Sequence, residues 1–146
     1  MADAVESSGG KLYALGAGWN RLGAPGFPVV HPRMGIGVLL TVESGEPRSC
    51  RLELRMLGPD GRERAFGSAP DGTEQRSLGV DVQVQGSLED VVVPMAMNLD
   101  GLGFDRPGGY AFVLSVSGVE EERLEFSVGE VQPGQPPERT TSGGYL

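Results

Sequence analysis

Cys50-Arg51-Leu52-Glu53-Leu54-Arg55-Met56-Leu57-Gly58-Pro59-Asp60-Gly61-Arg62-Glu63-Arg64-Ala65-Phe66 decides the fold. Leu52, Leu54 and Met56 alternate with Arg51, Glu53 and Arg55. That period of two belongs to a strand with one buried and one wet face. Gly58-Pro59-Asp60-Gly61 supplies a turn: Pro59 presets φ, Asp60 can bond its own backbone, and Gly61 accepts positive φ. The chain is expected to return through Arg62 to Phe66. No comparable helical stripe exists elsewhere.

Further alternations lie on both sides. Lys11 to Leu15 has strand propensity, and Gly16 and Gly18 after it permit a bulge or a close backbone approach. Trp19, the only tryptophan, is placed at one end of the core. Ala24 to Pro28 reads as a loop, with a little extended chain from Val29 to His31. In Met34 to Glu43, Ile36, Val38, Leu40 and Val42 take one face, and Leu39 and Thr41 the other. Both faces are largely apolar, which predicts a central strand. Ser44 to Ser49 reads as its turn and Gly67 to Leu78 as a loop. Val80, Val82 and Val84 alternate with polar residues. Val91, Val93, Met95 and Met97 form a run holding Pro94, which marks an edge strand or a bulge. Asn98 to Gly109 reads as a connection whose Leu99, Leu102 and Phe104 tuck beneath the sheets. Tyr110 to Ser117 and Arg123 to Val128 close the pattern.

About seven or eight strands, with turn signals every 8–12 residues, predict an all-β, immunoglobulin-like antiparallel β-sandwich rather than a barrel. Tyr110, just after Pro107-Gly108-Gly109 at a strand start, is either a tyrosine corner or an ordinary core tyrosine. Residues 1–10 are expected to be a flexible N-terminus, 11–128 the sandwich domain and 129–146 a disordered C-terminal tail.

The 146 residues suit one domain with a real core, and the 24 Gly and 11 Pro suit many tight turns. The formal net charge of −8 argues against nucleic acid and against an anionic membrane surface as partners. No apolar run approaches the roughly 18 residues that span a bilayer. The first ten residues have no basic start and no apolar core, so no signal peptide is expected. Cys50 is the only cysteine, which fits a reducing compartment, and the expected location is cytoplasmic. Lys11 is the only lysine beside eleven arginines, a bias that matches a GC-rich genome and leaves few sites for lysine-directed tagging.

A nucleophile and base would require Cys50 or a serine beside His31, the only histidine, and no motif surrounds either residue. One Cys and one His are too few for zinc. Asn98-x-Asp100-Gly101 resembles a fragment of a calcium loop without its further ligands. Asp71 and Glu74 form a further carboxylate cluster, and Glu120 to Glu122 reads as a solvated turn that blunts an edge. No catalytic residue, metal or cofactor is expected, and the chain is read as a non-enzyme whose partner is a protein.

The end of the chain runs Gln132-Pro-Gly-Gln-Pro-Pro-Glu-Arg-Thr-Thr-Ser142-Gly143-Gly144-Tyr145-Leu146. A tether that ends in an aromatic, an aliphatic and a free carboxylate suits capture by a pocket with a cation. Gly143, Gly144, Tyr145 and Leu146 resemble the Gly-Gln-Tyr-Leu tails of bacterial proteasome activators, with Gly144 where that family has Gln. The resemblance implies docking between α-subunits of a bacterial 20S proteasome core. No ATPase motif and no helical ring-forming domain accompany it.

Gly10 to Trp19, Arg51 to Gly61 and Pro107 to Val116 resemble a family of small bacterial proteins of unknown function common in actinobacteria, over about residues 2–128. Its members usually carry one more strand before the segment matching Ala2-Asp3-Ala4. The resemblance thus implies that this strand is absent here or lies upstream of Met1. Two functions stay open. One is an interaction module whose tail docks on the proteasome as adaptor or regulator. The other is a sandwich that binds a small ligand, carbohydrate or protein through its loops (Gly23 to Pro32, Gly67 to Leu78, Asn98 to Gly109), with an inert tail.

Overall fold

The computed structural model describes residues 1–68, 70–85 and 89–131. Among these, all regular structure is β. The strands are β1 (Ala4–Ser8), β2 (Lys11–Leu15), β3 (Arg21–Ala24), β4 (Val29–Val42), β5 (Ser49–Leu57), β6 (Glu63–Arg64), β7 (Gly67–Ser68), β8 (Glu74–Gln75), β9 (Ser77–Gln83), β10 (Val91–Phe104), β11 (Gly108–Val116) and β12 (Val119–Glu130).

The alternation from Cys50 becomes β5. Leu52, Leu54 and Met56 are buried, and Arg51 faces solvent. The turn forms as its residues dictate: Gly61 takes φ 72°, its N–H donates to the Gly58 carbonyl at 2.9 Å, and the Asp60 carboxylate accepts from the Arg62 N–H at 3.2 Å. The chain returns as β6, pairing Glu63 with Leu57 and Arg64 with Met56.

Two sheets face each other. One runs β3-β12-β11-β5, with β6 and β9 along the far side of β5. The other is the long antiparallel pair β4 and β10. Met34, Ile36, Leu99, Leu102 and Phe104 of the pair meet Leu54, Met56, Tyr110, Phe112, Phe126 and Val128 of the larger sheet. Phe104 meets the Tyr110 ring edge-on at 5.0 Å, and Phe112 stacks on Phe126 at 5.1 Å. This is an immunoglobulin-like sandwich: β4 and β10 correspond to strands B and E, and β5, β11 and β12 to C, F and G. One pair departs from the expected antiparallel rule, because β3 runs parallel to β12.

Several expectations are corrected. Residues 1–10 are part of the fold: β1 pairs with β2 around Gly9-Gly10, whose φ values of 57° and 72° close a tight two-residue turn. Ala2 exchanges two backbone hydrogen bonds with Gly35 at 2.8 Å each. Asn98 to Phe104 is not a connection but the second half of β10, kinked at Gly101, where φ is 68°. Leu99, Leu102 and Phe104 are core residues, as expected. Within 67–78, Gly67–Ser68 pairs with Glu74–Gln75, and β9 already begins at Ser77. Val29 joins Met34 through Pro32 in one continuous strand.

β4 is not central. Among the described residues it pairs with β10 on one side and meets only Ala2 on the other. The β1–β2 hairpin covers its second face only at Gly35 and Gly37, and Leu39 further along that face is 62% exposed. A Cβ on Gly35 would stand 3.0 Å from the Ala4 and Val5 backbone, and one on Gly37 would stand 2.7 Å from the Leu12 side chain. β12 continues past residue 128: Gly129 and Glu130 pair with Gly23 and Ala24, and the Val131 N–H donates to the Ala24 carbonyl at 2.9 Å.

Candidate functional site

The immunoglobulin fold flanks strand E with strand D. Here β10 pairs with β4 alone among the described residues. Among the described residues the sandwich is therefore open between β9 and β10. An apolar groove of about 540 Å³ fills the gap, lined chiefly by Leu52, Leu78, Val80, Met95 and Met97, with Ser7 and Asn98 at its rim. Val80 pairs with buried Leu52 and shares its phase, yet is 46% exposed. Met95 and Met97 are adaptable linings for such a gap.

The free edge of β10 is blunted at its middle. Pro94 has no N–H, and its carbonyl accepts the Ser7 hydroxyl at 2.8 Å. That is how edge strands are kept from pairing indiscriminately. Pro94 thus marks an edge strand, one of the two readings its sequence allowed. Asn98 fixes the hairpin above: its side-chain amide donates to the Val5 carbonyl at 2.8 Å and its oxygen accepts from the Val5 N–H at 3.1 Å.

The opposite end of the molecule is polar. A hollow of about 550 Å³ lies over the Gly58–Gly61 turn, bordered by Asn20, Arg21, Arg123 and Glu125. Nearby, Asp60 bridges Arg64 at 3.1 Å and Arg106 at 2.9 Å, joining the β5–β6 turn to the β10–β11 turn. Loss of water around the Asp60 carboxyl works against its charge. The Arg62 N–H and the two guanidinium groups outweigh this and hold its pKa below the ordinary value. Tyr110 donates to the Arg106 carbonyl four residues upstream at 2.8 Å, which makes it a tyrosine corner. Burial, then the Asp105 charge, raises its phenol pKa.

The other sequence candidates separate. His31 lies in β4, edge-on to Trp19 at 6.2 Å, whereas Cys50 lies in β5 opposite Val82, in the other sheet. Trp19 packs against the core as expected, and its indole donates to Asp3 at 3.0 Å. The fragment resembling a calcium loop is dismantled by its own contacts: Asn98 is spent on Val5, and Asp100 pairs with Arg33 at 2.6 Å. Among the described residues, no group of three His, Cys, Asp or Glu side chains is placed to hold a metal, and no helix is long and apolar enough to cross a membrane. Gly143, Gly144, Tyr145 and Leu146 lie outside the described residues, beyond Val131.

The groove was missed in the sequence because Val80, Met95 and Met97 read as ordinary strand positions and Leu78 as the end of a loop, whereas Leu78 lies in β9. Periodicity carries no signal for it, because the pattern marks Val80 as inward whether or not another strand covers it. A family model described as a family of unknown function (DUF6941) matches residues 1–129. No curated protein and no solved structure matches the chain.

Proposed function

The chain belongs to the DUF6941 family of unknown function, and from that premise we propose that it is a non-enzymatic interaction module. In this reading its immunoglobulin-like body carries a tail whose Gly143-Gly144-Tyr145-Leu146 docks on the α-ring of a bacterial 20S proteasome, as adaptor or regulator. The location is then cytoplasmic and the partner a protein. The observation that supports the reading most is how the body ends. β12 is held between β11 and β3, and Val131 is tied to Ala24. Residues 132–146, which carry Gly143-Gly144-Tyr145-Leu146, thus follow directly on a fixed point. A tethered terminal motif gains local concentration from such an anchor.

The test is capture of the full chain and of a chain ending at Gly144 by immobilised 20S core particles. Retention of the full chain alone supports the reading; equal recovery of both overturns it. The groove beside β10 favours a second reading, in which the body itself takes a small apolar ligand, a carbohydrate or a protein segment. A ligand that binds only the native state raises the melting temperature, so a thermal-shift screen addresses it.

A further inference from the structure

We propose that the groove between β9 and β10 is the docking site, in cis, of the chain's own terminal Tyr145-Leu146. The inference rests on the reading of those two residues as a recognition motif and adds its regulation: the motif is held on the body until a partner competes for it.

Three observations converge. First, the groove has the wrong phase for a free surface. Val80 belongs to the buried set of its strand and stands half-exposed, facing Met95 and Met97 across the gap. Something apolar belongs there. Second, the edge of β10 is ill-suited to an added strand, because Pro94 gives no donor and its carbonyl is taken by Ser7. The occupant therefore enters through side chains rather than a backbone ladder. Third, the length of the remaining chain selects which side chains arrive. From Val131, the groove lies three strands across the sheet, over β11 and β5 to β9. It also lies some nine residue rises, at Leu78, to eleven, at Val80, back along the strands. At ~3.3 Å per residue and ~4.8 Å between strands the span is about 35 Å. Fifteen residues reach about 50 Å when extended. Only the last four or five residues can therefore lie in the groove. Apart from prolines, Tyr145 and Leu146 are the only apolar side chains in 132–146.

The experiment is methyl NMR on the full chain and on a chain ending at Ser142. Docking predicts shifts of the Leu78, Val80, Met95 and Met97 methyl signals between the two, unchanged over a tenfold range of protein concentration. Superimposable spectra overturn the proposal, and so do shifts that grow with concentration together with a dimer in sedimentation, which would assign the groove to a second copy. Val80→Glu tests the same point from the other side, and its exposure keeps the substitution from disturbing the core. Intact core methyl shifts around Phe112 and Phe126 check that it folds. In this variant, truncation at Ser142 should no longer move the groove signals; if it still does, the groove is not the site.

If the motif is docked nine-tenths of the time, Val80→Glu raises apparent affinity for 20S particles about tenfold. Unchanged capture overturns the regulatory role. No capture of any variant overturns the proteasome reading alone and leaves the methyl shifts to decide the docking.

Discussion

At the scale of single residues, Tyr110 shows how much of this body depends on one hydroxyl. Its ring lies between Phe104 and Phe126 in the core, and its Oη reaches the Arg106 carbonyl at 2.8 Å. Tyr110→Phe keeps the ring and strands the carbonyl. The expected loss is about 0.5–1.5 kcal/mol, the net worth of one part-buried hydrogen bond to an exposed turn. Urea denaturation followed by Trp19 fluorescence measures it; a variant as stable as the parent would show that water replaces the hydroxyl. Phe126→Ala, which removes a ring stacked on Phe112, should cost more, about 3–5 kcal/mol. The sequence left the corner and the plain core tyrosine equally open. Both place the ring inside, and only the path of Asp105 to Gly108 decides where the hydroxyl points.

At the scale of elements, the β1–β2 hairpin is a third layer laid on the β4–β10 pair. It is held by Ala2 on the edge of β4, by Asn98 on Val5 and by Ser7 on Pro94. Gly35 lets its backbone approach, and Gly35→Ala places a methyl 3.0 Å from backbone atoms that cannot step aside. Gly37→Ala meets only the tip of Leu12, which can. The first should destabilise by about 1–3 kcal/mol and the second by less. Asn98→Ala should abolish slow hydrogen exchange at Val5 while leaving β11 protected, because the hairpin opens apart from the core. Equal protection at Val5 in parent and variant would show that Asn98 is not the clamp.

This element was illegible in the sequence for a definite reason. Gly9-Gly10 is a hairpin signal, but the flanking Glu6, Ser7 and Ser8 are polar and carry no clear alternation. β5 and β11 were legible because one face of each is strictly apolar. β10 was legible only as far as Met97, since the kink at Gly101 shifts the phase of Leu102 and Phe104 against Met95 and Met97. The groove was invisible to periodicity, which reports which face is apolar and never whether another sheet covers it.

At the scale of the whole molecule, the charges set a pH window for the fold. The hydrogen bonds from Arg33, then its charge, hold the Asp100 carboxyl below its ordinary pKa, and the Thr73 backbone N–H and hydroxyl do the same for Asp71. A carboxylate with a lowered folded pKa contributes stability above its unfolded value, near pH 4, and loses it as pH falls through the folded value. Tyr110 behaves oppositely. Burial, then Asp105, raises its phenol, so its contribution is present below about pH 10 and is lost as pH rises through the folded value. The melting temperature should therefore be flat from about pH 5 to 9, fall below about pH 4, and fall again above about pH 10. Two variants separate the limbs. Asp100→Asn should lower the plateau slightly and soften the acid limb. Tyr110→Phe should lower the plateau and flatten the alkaline limb, since no phenol remains to ionise there. The Arg33–Asp100 pair is exposed, so 1 M salt should shrink the Asp100→Asn effect while leaving that of Tyr110→Phe intact. Scanning fluorimetry from pH 3 to 11 at low and high salt reads all of this. An alkaline limb unchanged in Tyr110→Phe would show that the loss comes from a group other than the tyrosine-corner phenol.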